Sequence, residues 1–521
     1  MHRLSRMLAA GALFAVAACV SSPRYQPPTV VVAPAFRALA DSASTALVVS
    51  RDSTTAPLPL AGAAPGASVP VVADSIVPPH DGADSVPVAI PVRGSLSAEP
   101  PDTSFWVGLG DSTLLALVSE AVRASPDVHA AQSRLLAARS SRRLSALDLA
   151  PTVTADASVA RQQLSAAQFP GTTGVLPRQD LWDAGFDASW ELDIFGRVSR
   201  TVRAGRALEE SATDEVRDAQ LSLAAEVART YFELRGAQSE LAVANRNAAN
   251  QRRTMQLTER RLSAGSGTAF DVERARAELN LTLAATPDIE SRIAASRYRI
   301  AVLLGRSPEN LPPALLTVAD LPPLPDTVRV GSPADLVRRR PDVLSAERQL
   351  AAQTMLVGAA QAEYLPRVSL AGSVGYTSPT FDALGNTGTP RYFIGPVLSW
   401  PFLDLGRVKM RADVARANAD EARARYTSAV LGAIGEAETA IVSYDRSRAR
   451  LGSLSEAVRA STRALDLAQL RYEAGETDFL QVLDAQRTLL SAESELATGR
   501  TSAATALVAV YKAVGGSWPS R

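Results

Sequence analysis

Four motifs of this chain occur twice, in the same order and at nearly the same separation, and this duplication limits the folds that the chain can adopt. The first copies start at Ser125, Leu149, Ser189 and Arg261. The second copies start at Arg340, Tyr364, Ser399 and Arg471. The copies lie about 210 to 215 residues apart, a period far too long for a short-repeat solenoid. The sequence therefore predicts a tandem duplication of one large unit.

Each unit is predicted to begin with a helix, which starts at Leu114 in the first unit and at Pro333 in the second. Pro151 and Pro366 belong to one of the repeated motifs and are predicted to end these helices. Proline has no amide hydrogen for the helical ladder and pushes the residue before it toward extended geometry.

Polar and apolar residues then alternate in four segments, which predicts β-strands with one polar and one apolar face. The segments are 152–159, 183–193, 368–376 and 392–400. In the second segment, Phe186 falls on the apolar face and Asp187 on the polar face. Each segment has about ten residues, the length that a tilted membrane strand needs. The Gly-, Pro- and Thr-rich stretches between paired segments, 163–180 and 378–390, are predicted to be loops.

Two long helical segments follow each pair of strands. In the first unit, apolar residues recur about every 3.7 residues without an intervening proline, which predicts a helix of roughly 85 Å. This stripe consists of Leu208, Ala212, Val216, Ala219, Leu223, Val227, Tyr231 and Leu234. The predicted helices are 205–262 and 271–304 in the first unit, and 407–473 and 479–514 in the second. The predicted fold is mixed and mainly α, with long helical hairpins and four strands per chain.

Four strands are too few to close a membrane barrel, because the smallest barrels have about eight and these have no open lumen. An open sheet edge is not viable in lipid. Three chains would supply twelve strands and a lumen lined by the polar faces. The sequence therefore predicts a homotrimer with a shared twelve-stranded transmembrane β-barrel, which the helices of the three chains continue as a second, α-helical barrel.

The N-terminus has the pattern of a bacterial secretory signal peptide over residues 1–18. A basic start precedes a short apolar run, and the chain's only cysteine, Cys19, follows small residues. This small-small-Cys junction resembles the lipobox of bacterial lipoproteins, which implies a covalent lipid on Cys19 after cleavage. A buried free cysteine beside an ordinary signal peptide is the alternative interpretation.

Composition sets the remaining domain boundaries. Residues 19–28 are predicted to be a lipid-anchored segment, and the Ala-, Pro- and Val-rich stretch 29–101 a disordered spacer. The two repeats are assigned to 102–320 and 321–521. The formal net charge is zero, which gives no attraction to nucleic acid.

Two motifs make a family resemblance specific. Pro23-Arg-Tyr-Gln-Pro-Pro28 follows the cysteine, and Trp190-Glu-Leu-Asp-Ile-Phe-Gly-Arg197 ends the second strand segment. With the duplicated order, these segments resemble the outer membrane factor family of TolC-like ducts, most closely its lipidated efflux branch of OprM/NodT-like lipoproteins. The resemblance implies a passive outer-membrane channel that reaches into the periplasm. Its partners would be outer membrane lipid, a periplasmic adaptor (membrane fusion) protein and an inner-membrane efflux transporter.

The resemblance also assigns candidate site residues near the second helical turn. Leu480, Gln481 and Asp484 match the family's periplasmic gate, where equivalent side chains approach the three-fold axis and narrow the channel. Gln481 stands where some members carry a second acid, so the acidic ring would be single. The alternative interpretation makes Asp484 a solvated residue that pairs with Arg487 on the same helix.

The glycines of the two helical turns, Gly265, Gly267 and Gly475, match the tips that dock the adaptor; ordinary helix C-caps are the alternative. No catalytic constellation is found, and the three histidines are scattered, so neither an enzyme nor a metal site nor a cofactor is predicted. Two other functions stay open. One is a duct for type I protein secretion, and the other is a structural coiled-coil lipoprotein of the envelope, which would not need the strands.

Overall fold

The computed structural model describes Tyr25 and residues 32–39, 95–99, 105–165, 171 and 174–516. The first unit contains α1 Phe105–Gly108, α2 Ser112–Ala124, α3 Pro126–Leu147, β2 Thr152–Gln162, β3 Gln179–Leu192, α4 Arg197–Ser263, α5 Ala269–Leu303 and α6 Pro313–Leu316. The second contains β4 Thr327–Arg329, α7 Pro333–Arg339, α8 Pro341–Ala362, β5 Arg367–Ser378, β6 Pro390–Ser399, α9 Leu405–Glu473 and α10 Phe479–Ala513. A short strand, β1 Ser95–Ser97, precedes both and pairs in parallel with β4.

The helix that opens each unit is broken into two, which corrects the prediction of a single helix. Ser125 separates α2 from α3, because its side chain caps the next helix and Pro126 fits the first helical position. Pro341 likewise occupies the first position of α8, although Arg340 before it provides no side-chain cap. The helices end at Leu147 and Ala362, before the prolines that were predicted to stop them.

The two predicted hairpins of long helices are confirmed. Helix α4 has 67 residues and α9 has 69, so each extends roughly 100 Å. The buried face of α4 is correctly predicted in its middle, but Leu208 is 41 % exposed. There the helix instead turns Ala204 and Ala207 toward α8, and small side chains let the two helices approach closely. The described helices include none that is both long enough and apolar enough to cross a membrane.

The four long strands form one antiparallel sheet in the order β2-β3-β5-β6. Its register aligns apolar residues into rows on one face: Ala155, Phe186, Val374 and Tyr392 lie side by side. The fourth strand ends at Ser399, so Trp400, which the alternation had included, lies just outside it. Strands β2 and β6 are the edges, and each pairs with only one strand of the described chain.

Two segments of the predicted spacer are packed against the helices. Phe36 is fully buried in the main core, and the backbone N–H of Arg37 donates to the Glu438 carboxylate at 2.7 Å. Strand β1 is the second segment. Just before the spacer, the Tyr25 hydroxyl donates to the Glu347 carboxylate at 3.3 Å. These contacts place Tyr25 against α8 and residues 36–38 against the helical core and α9, while residues 1–24 with Cys19, 26–31 and 40–94 lie outside the described residues.

Candidate functional site

The predicted gate residues lie at the start of α10, beside the turn that joins it to α9. Leu480, Gln481 and Asp484 are all solvent-exposed, and we call them the gate face. The opposite side of the helix is buried in a small core, the tip cluster, which consists of Ala275, Tyr472, Phe479, Val482 and Leu483. The Asp478 side chain caps the helix by accepting from the Gln481 backbone N–H at 3.3 Å. Packing on one side thus fixes the direction of the gate face.

The alternative pairing of Asp484 with Arg487 is wrong. Arg487 instead donates two hydrogen bonds to one carboxylate oxygen of Glu278 on α5, with an Nε–Oε2 distance of 2.7 Å. This bond raises the pKa of Arg487 above its usual value. The exposed Asp484 side chain forms no hydrogen bond or salt bridge with the described residues and keeps only a longer-range attraction to Arg487. The two hairpins are therefore joined by a charged link one turn from the gate face.

The first repeat places a second pair of exposed residues at the equivalent position. Phe270 and Arg274 match Leu480 and Asp484 when the repeats are aligned, and Phe270 is 69 % exposed. The Arg274 guanidinium lies 5.8 Å from the Phe270 ring centroid. The sequence analysis missed this pair, although the repeat offset that located the other motifs would have found it.

The turn glycines have different roles. Gly265 and Gly475 have φ of 74° and 77°, and each follows its helix as a left-handed cap. Gly267 is not left-handed, so the C-cap interpretation is wrong for it. A side chain there would bring Cβ to 3.0 Å from the Leu262 backbone nitrogen. All three glycines lie at the end of the hairpins opposite to the sheet.

The Trp190–Arg197 motif connects the sheet to the helices. The Trp190 indole N–H donates to the Leu149 carbonyl at 2.9 Å, which ties β3 to the end of the preceding helix. Asp193 accepts from the first backbone amides of α4 at 2.9 and 2.8 Å. Arg197 donates to both carboxylate oxygens of Glu191. The motif therefore holds the strand-to-helix junction rigid.

The second repeat keeps only part of this junction. The Trp400 indole donates to the Tyr364 carbonyl at 3.1 Å, which reproduces the first tie. Asp404, by contrast, provides no side-chain cap for α9.

The polar face of the sheet carries a charged cluster that spans three strands. Arg391 on β6 donates to both oxygens of Asp183 on β3, at 2.9 and 2.6 Å. Thr377 on β5 donates to the same carboxylate at 2.6 Å. On this face Gly185 and Gly375 lie opposite each other, and a Cβ on either would come within 2.6 Å of a backbone oxygen. Their missing side chains let the two strands approach closely at this point.

A second ionic cluster lies near the end of α10 and joins it to α4, α8 and α9. Arg340 donates to Asp342 and to the Ala513 carbonyl, and it pairs with Glu436 at 2.7 Å. Burial, and then the neighbouring Asp342 carboxylate, raise the pKa of Asp218 above its ordinary value. Among the residues that the structure describes, no group of histidines, cysteines and acids is arranged to hold a metal ion.

Comparison with known proteins assigns the family. The model of the family described as "Outer membrane efflux protein" matches residues 117–306 and 333–516, one segment in each repeat. The chain belongs to this family, whose members are passive outer-membrane channels and not enzymes. It is 31 % identical over 415 residues to the solvent efflux pump outer membrane protein SrpC of Pseudomonas putida, covering 78 % of this chain and 86 % of that protein. It is 30 % identical over 426 residues to outer membrane protein OprJ of Pseudomonas aeruginosa, covering 80 % and 87 %.

Solved structures support the same assignment. The outer-membrane channel OprN superposes with a TM-score of 0.81 at 34 % identity, over 96 % of this chain and 100 % of that one. The open state of the Neisseria gonorrhoeae MtrE outer membrane channel superposes with a TM-score of 0.71 at 25 % identity, over 96 % and 98 %. The chain is therefore the outer-membrane component of an efflux system.

Proposed function

We propose that three copies of the chain form one continuous exit duct for small molecules, with a twelve-stranded barrel in the outer membrane and a helical barrel in the periplasm. The observation that carries the proposal is the four-stranded sheet, which has two unpaired edges and leads into helices of roughly 100 Å. Unpaired backbone groups are not tolerated in lipid, so the edges need partner strands from other copies.

In this duct the apolar face of the sheet contacts lipid and the polar face lines the lumen. Phe186→Arg should destabilise insertion by about 2–4 kcal/mol near the bilayer midplane, whereas Asp187→Arg should be far milder. The measurement is the yield of heat-modifiable trimer bands in membranes, with the Asp187 variant as the matched control on the adjacent residue. A lower trimer yield for Asp187→Arg than for Phe186→Arg would refute the barrel. A monomeric protein in mild detergent would also refute it.

The gate face is proposed to close the periplasmic end at rest. Three Asp484 carboxylates near one axis would repel one another and attract cations, which makes the closed duct narrow and cation-selective. The exposed carboxylate of Asp484 and the exposed Leu480 support this role.

Asp484→Ala should therefore raise resting conductance in planar bilayers and weaken block by multivalent cations. Glu495→Ala is the control, because Glu495 is an exposed acid of the same helix that is paired with Arg450. Unchanged conductance and block in the Asp484 variant would place the gate elsewhere.

The tips are proposed to dock a periplasmic adaptor that joins the duct to an inner-membrane transporter, since a passive duct needs an energised partner. Gly475→Trp should leave trimer formation intact and abolish efflux and adaptor cross-linking. Normal efflux by this variant would show that the tips are not part of the docking surface.

The anchor is proposed to be a lipid on Cys19, after removal of residues 1–18. Mass spectrometry of the mature N-terminus should find an acylated Cys19, and an unmodified N-terminus elsewhere would exclude it. Cys19→Ala should lose the lipid and keep the barrel in the membrane.

A further inference from the structure

The apolar face of the four-stranded sheet carries no charged residue between the row of Trp182 and the row of Leu192. Because the register is continuous across the four strands, every second residue falls on this face. The face consists of residues 153, 155, 157 and 159 of β2, the even-numbered residues 182–192 of β3 and 368–378 of β5, and the even-numbered residues 390–398 of β6. All of them are uncharged.

Two tryptophans mark the limits of this uncharged face on β3. Trp182 and Trp190 are eight residues apart, with Phe186 midway between them. With a rise of about 3.4 Å per residue and a strand tilt of about 40°, they are separated by about 20 Å along the barrel axis. Membrane barrels have an apolar band of about 25 Å between two aromatic girdles. The two tryptophans therefore fit the two interfaces of the membrane in the proposed barrel.

Charge first appears on this face one row beyond Trp182, on the side away from the helices. Arg161 and Asp180 are paired in the register of β2 and β3, and the Arg161 Nε lies 3.2 Å from the Asp180 carboxylate. Their side chains are 76 % and 45 % exposed. By the spacing used above, this row lies about 5 Å beyond the tryptophan, at the depth of the lipid headgroups.

A second arginine continues the same face beyond the ends of the two strands. Gln163 and Arg178 follow the alternation of Arg161 and Asp180, and the Arg178 Nε donates to the Gln163 Oε1 at 3.4 Å. Arg178 is exposed and forms no ion pair with the part of the chain that the structure describes. The connection 163–178 contains no acidic residue. The rim of this face thus carries two arginines and one aspartate, a net positive charge.

We propose that Arg161 and Arg178 bind the phosphate group of a lipid in the outer leaflet, and we call these two residues with Asp180 the rim patch. A guanidinium has several N–H donors in a fixed fork, which matches the oxygens of a phosphate. The acyl chains of the same lipid would lie on the uncharged face below Trp182. The site rests on the proposed barrel, because only the barrel places this rim at the membrane surface.

The test uses the purified full-length protein in mild detergent, with lipid A and chemically dephosphorylated lipid A as the two probes. Native mass spectrometry gives the apparent dissociation constant of each lipid from the trimer. The ratio of the two constants is the phosphate preference. We expect the phosphorylated lipid to bind more tightly, and Arg178→Gln should lower the preference about tenfold, because arginine–phosphate contacts are charge-assisted.

The other rim residues provide variants of opposite sign. Arg161→Gln should also lower the preference, whereas Asp180→Asn should raise it, because the aspartate repels a phosphate and competes for Arg161. Arg252→Gln is the matched control, an exposed arginine of α4 far from the sheet, and its preference should equal that of the wild type. Heat-modifiable trimer bands check that each variant still assembles.

The outcomes separate failure of the site from failure of the barrel. Trimers that bind both lipids equally, or whose preference neither arginine variant changes, would overturn the rim patch and leave the barrel standing. A wild-type protein that forms no trimer would overturn both. Inorganic phosphate lacks acyl chains and should not displace lipid A at equal concentration. If it does, the patch binds a soluble anion, and the assignment to a lipid is wrong.

Discussion

Gly236→Ala should destabilise the protein, because α10 packs directly against this glycine of α4 and leaves no room for a side chain. A Cβ atom built on Gly236 would lie 1.9 Å from Thr501 Oγ1, 2.7 Å from its Cγ2 and 2.8 Å from its Cβ. Real Cβ atoms essentially never come within 3.0 Å of another heavy atom in this way. The two helices must therefore move apart, or Thr501 must leave its position.

The expected magnitude follows from two opposing effects. Alanine in place of glycine stabilises a helix interior by about 1 kcal/mol. Overpacking of a tight interface costs about 1–3 kcal/mol, and an overlap with three atoms belongs at the upper end of that range. The net loss should be about 1–2 kcal/mol. Gly435→Ala is the matched control on α9, where no atom lies within 4 Å of the added Cβ, and it should stabilise.

Thermal unfolding in detergent provides the assay, with the two glycine variants changing the melting temperature in opposite directions. Thr501→Ala should restore most of the loss in the double variant, since it removes the two nearest atoms. The coupling free energy between the two positions should be about 1–2 kcal/mol. A stabilised Gly236→Ala variant, or purely additive effects, would refute the reasoning.

Three further predictions concern charged groups. Glu278→Gln weakens the ion pair with Arg487 and should raise the resting conductance in bilayer recordings. If the conductance equals that of the wild type, the ion pair does not restrain α10. The raised pKa of Asp218 means that the folded state binds an extra proton, so stability falls as pH rises above the ordinary value of 3.8. Asp218→Asn should therefore have a higher melting temperature than the wild type at neutral pH, and the difference should vanish below pH 3.8. A difference in melting temperature that stays constant with pH would contradict this. Asp193→Ala removes the acceptor of two backbone amides in the first turn of α4 and should cost about 1 kcal/mol, which an unchanged melting temperature would exclude.

The long helices and strands were predictable because they depend on local signals. Apolar periodicity fixed the hairpins, and Gly265 and Gly475 marked the turns, where the structure has left-handed caps. The break at Ser125 also has a local signal, a capping residue followed by proline.

Contacts between distant segments left no such signal. Arg487 and Glu278 are 209 residues apart, and nothing in the sequence of either helix selects the other as partner. The nearby acid Asp484 was an equally reasonable partner by helix spacing alone. The burial of Gln251 and Gln486 left no local signal for the same reason, because it comes from helices that meet only in the folded chain.

The unpaired edges of β2 and β6 have a consequence for how the protein is made. In the proposed trimeric duct, a single chain with two open edges has no stable place in the outer membrane, so the three copies would have to meet before or during insertion. One defective edge then disables the whole assembly. A cell that makes equal amounts of wild-type chain and an edge-defective chain would build only about one trimer in eight from wild-type copies alone. Such alleles should be dominant over the wild type, an inheritance pattern that a self-contained barrel would not show.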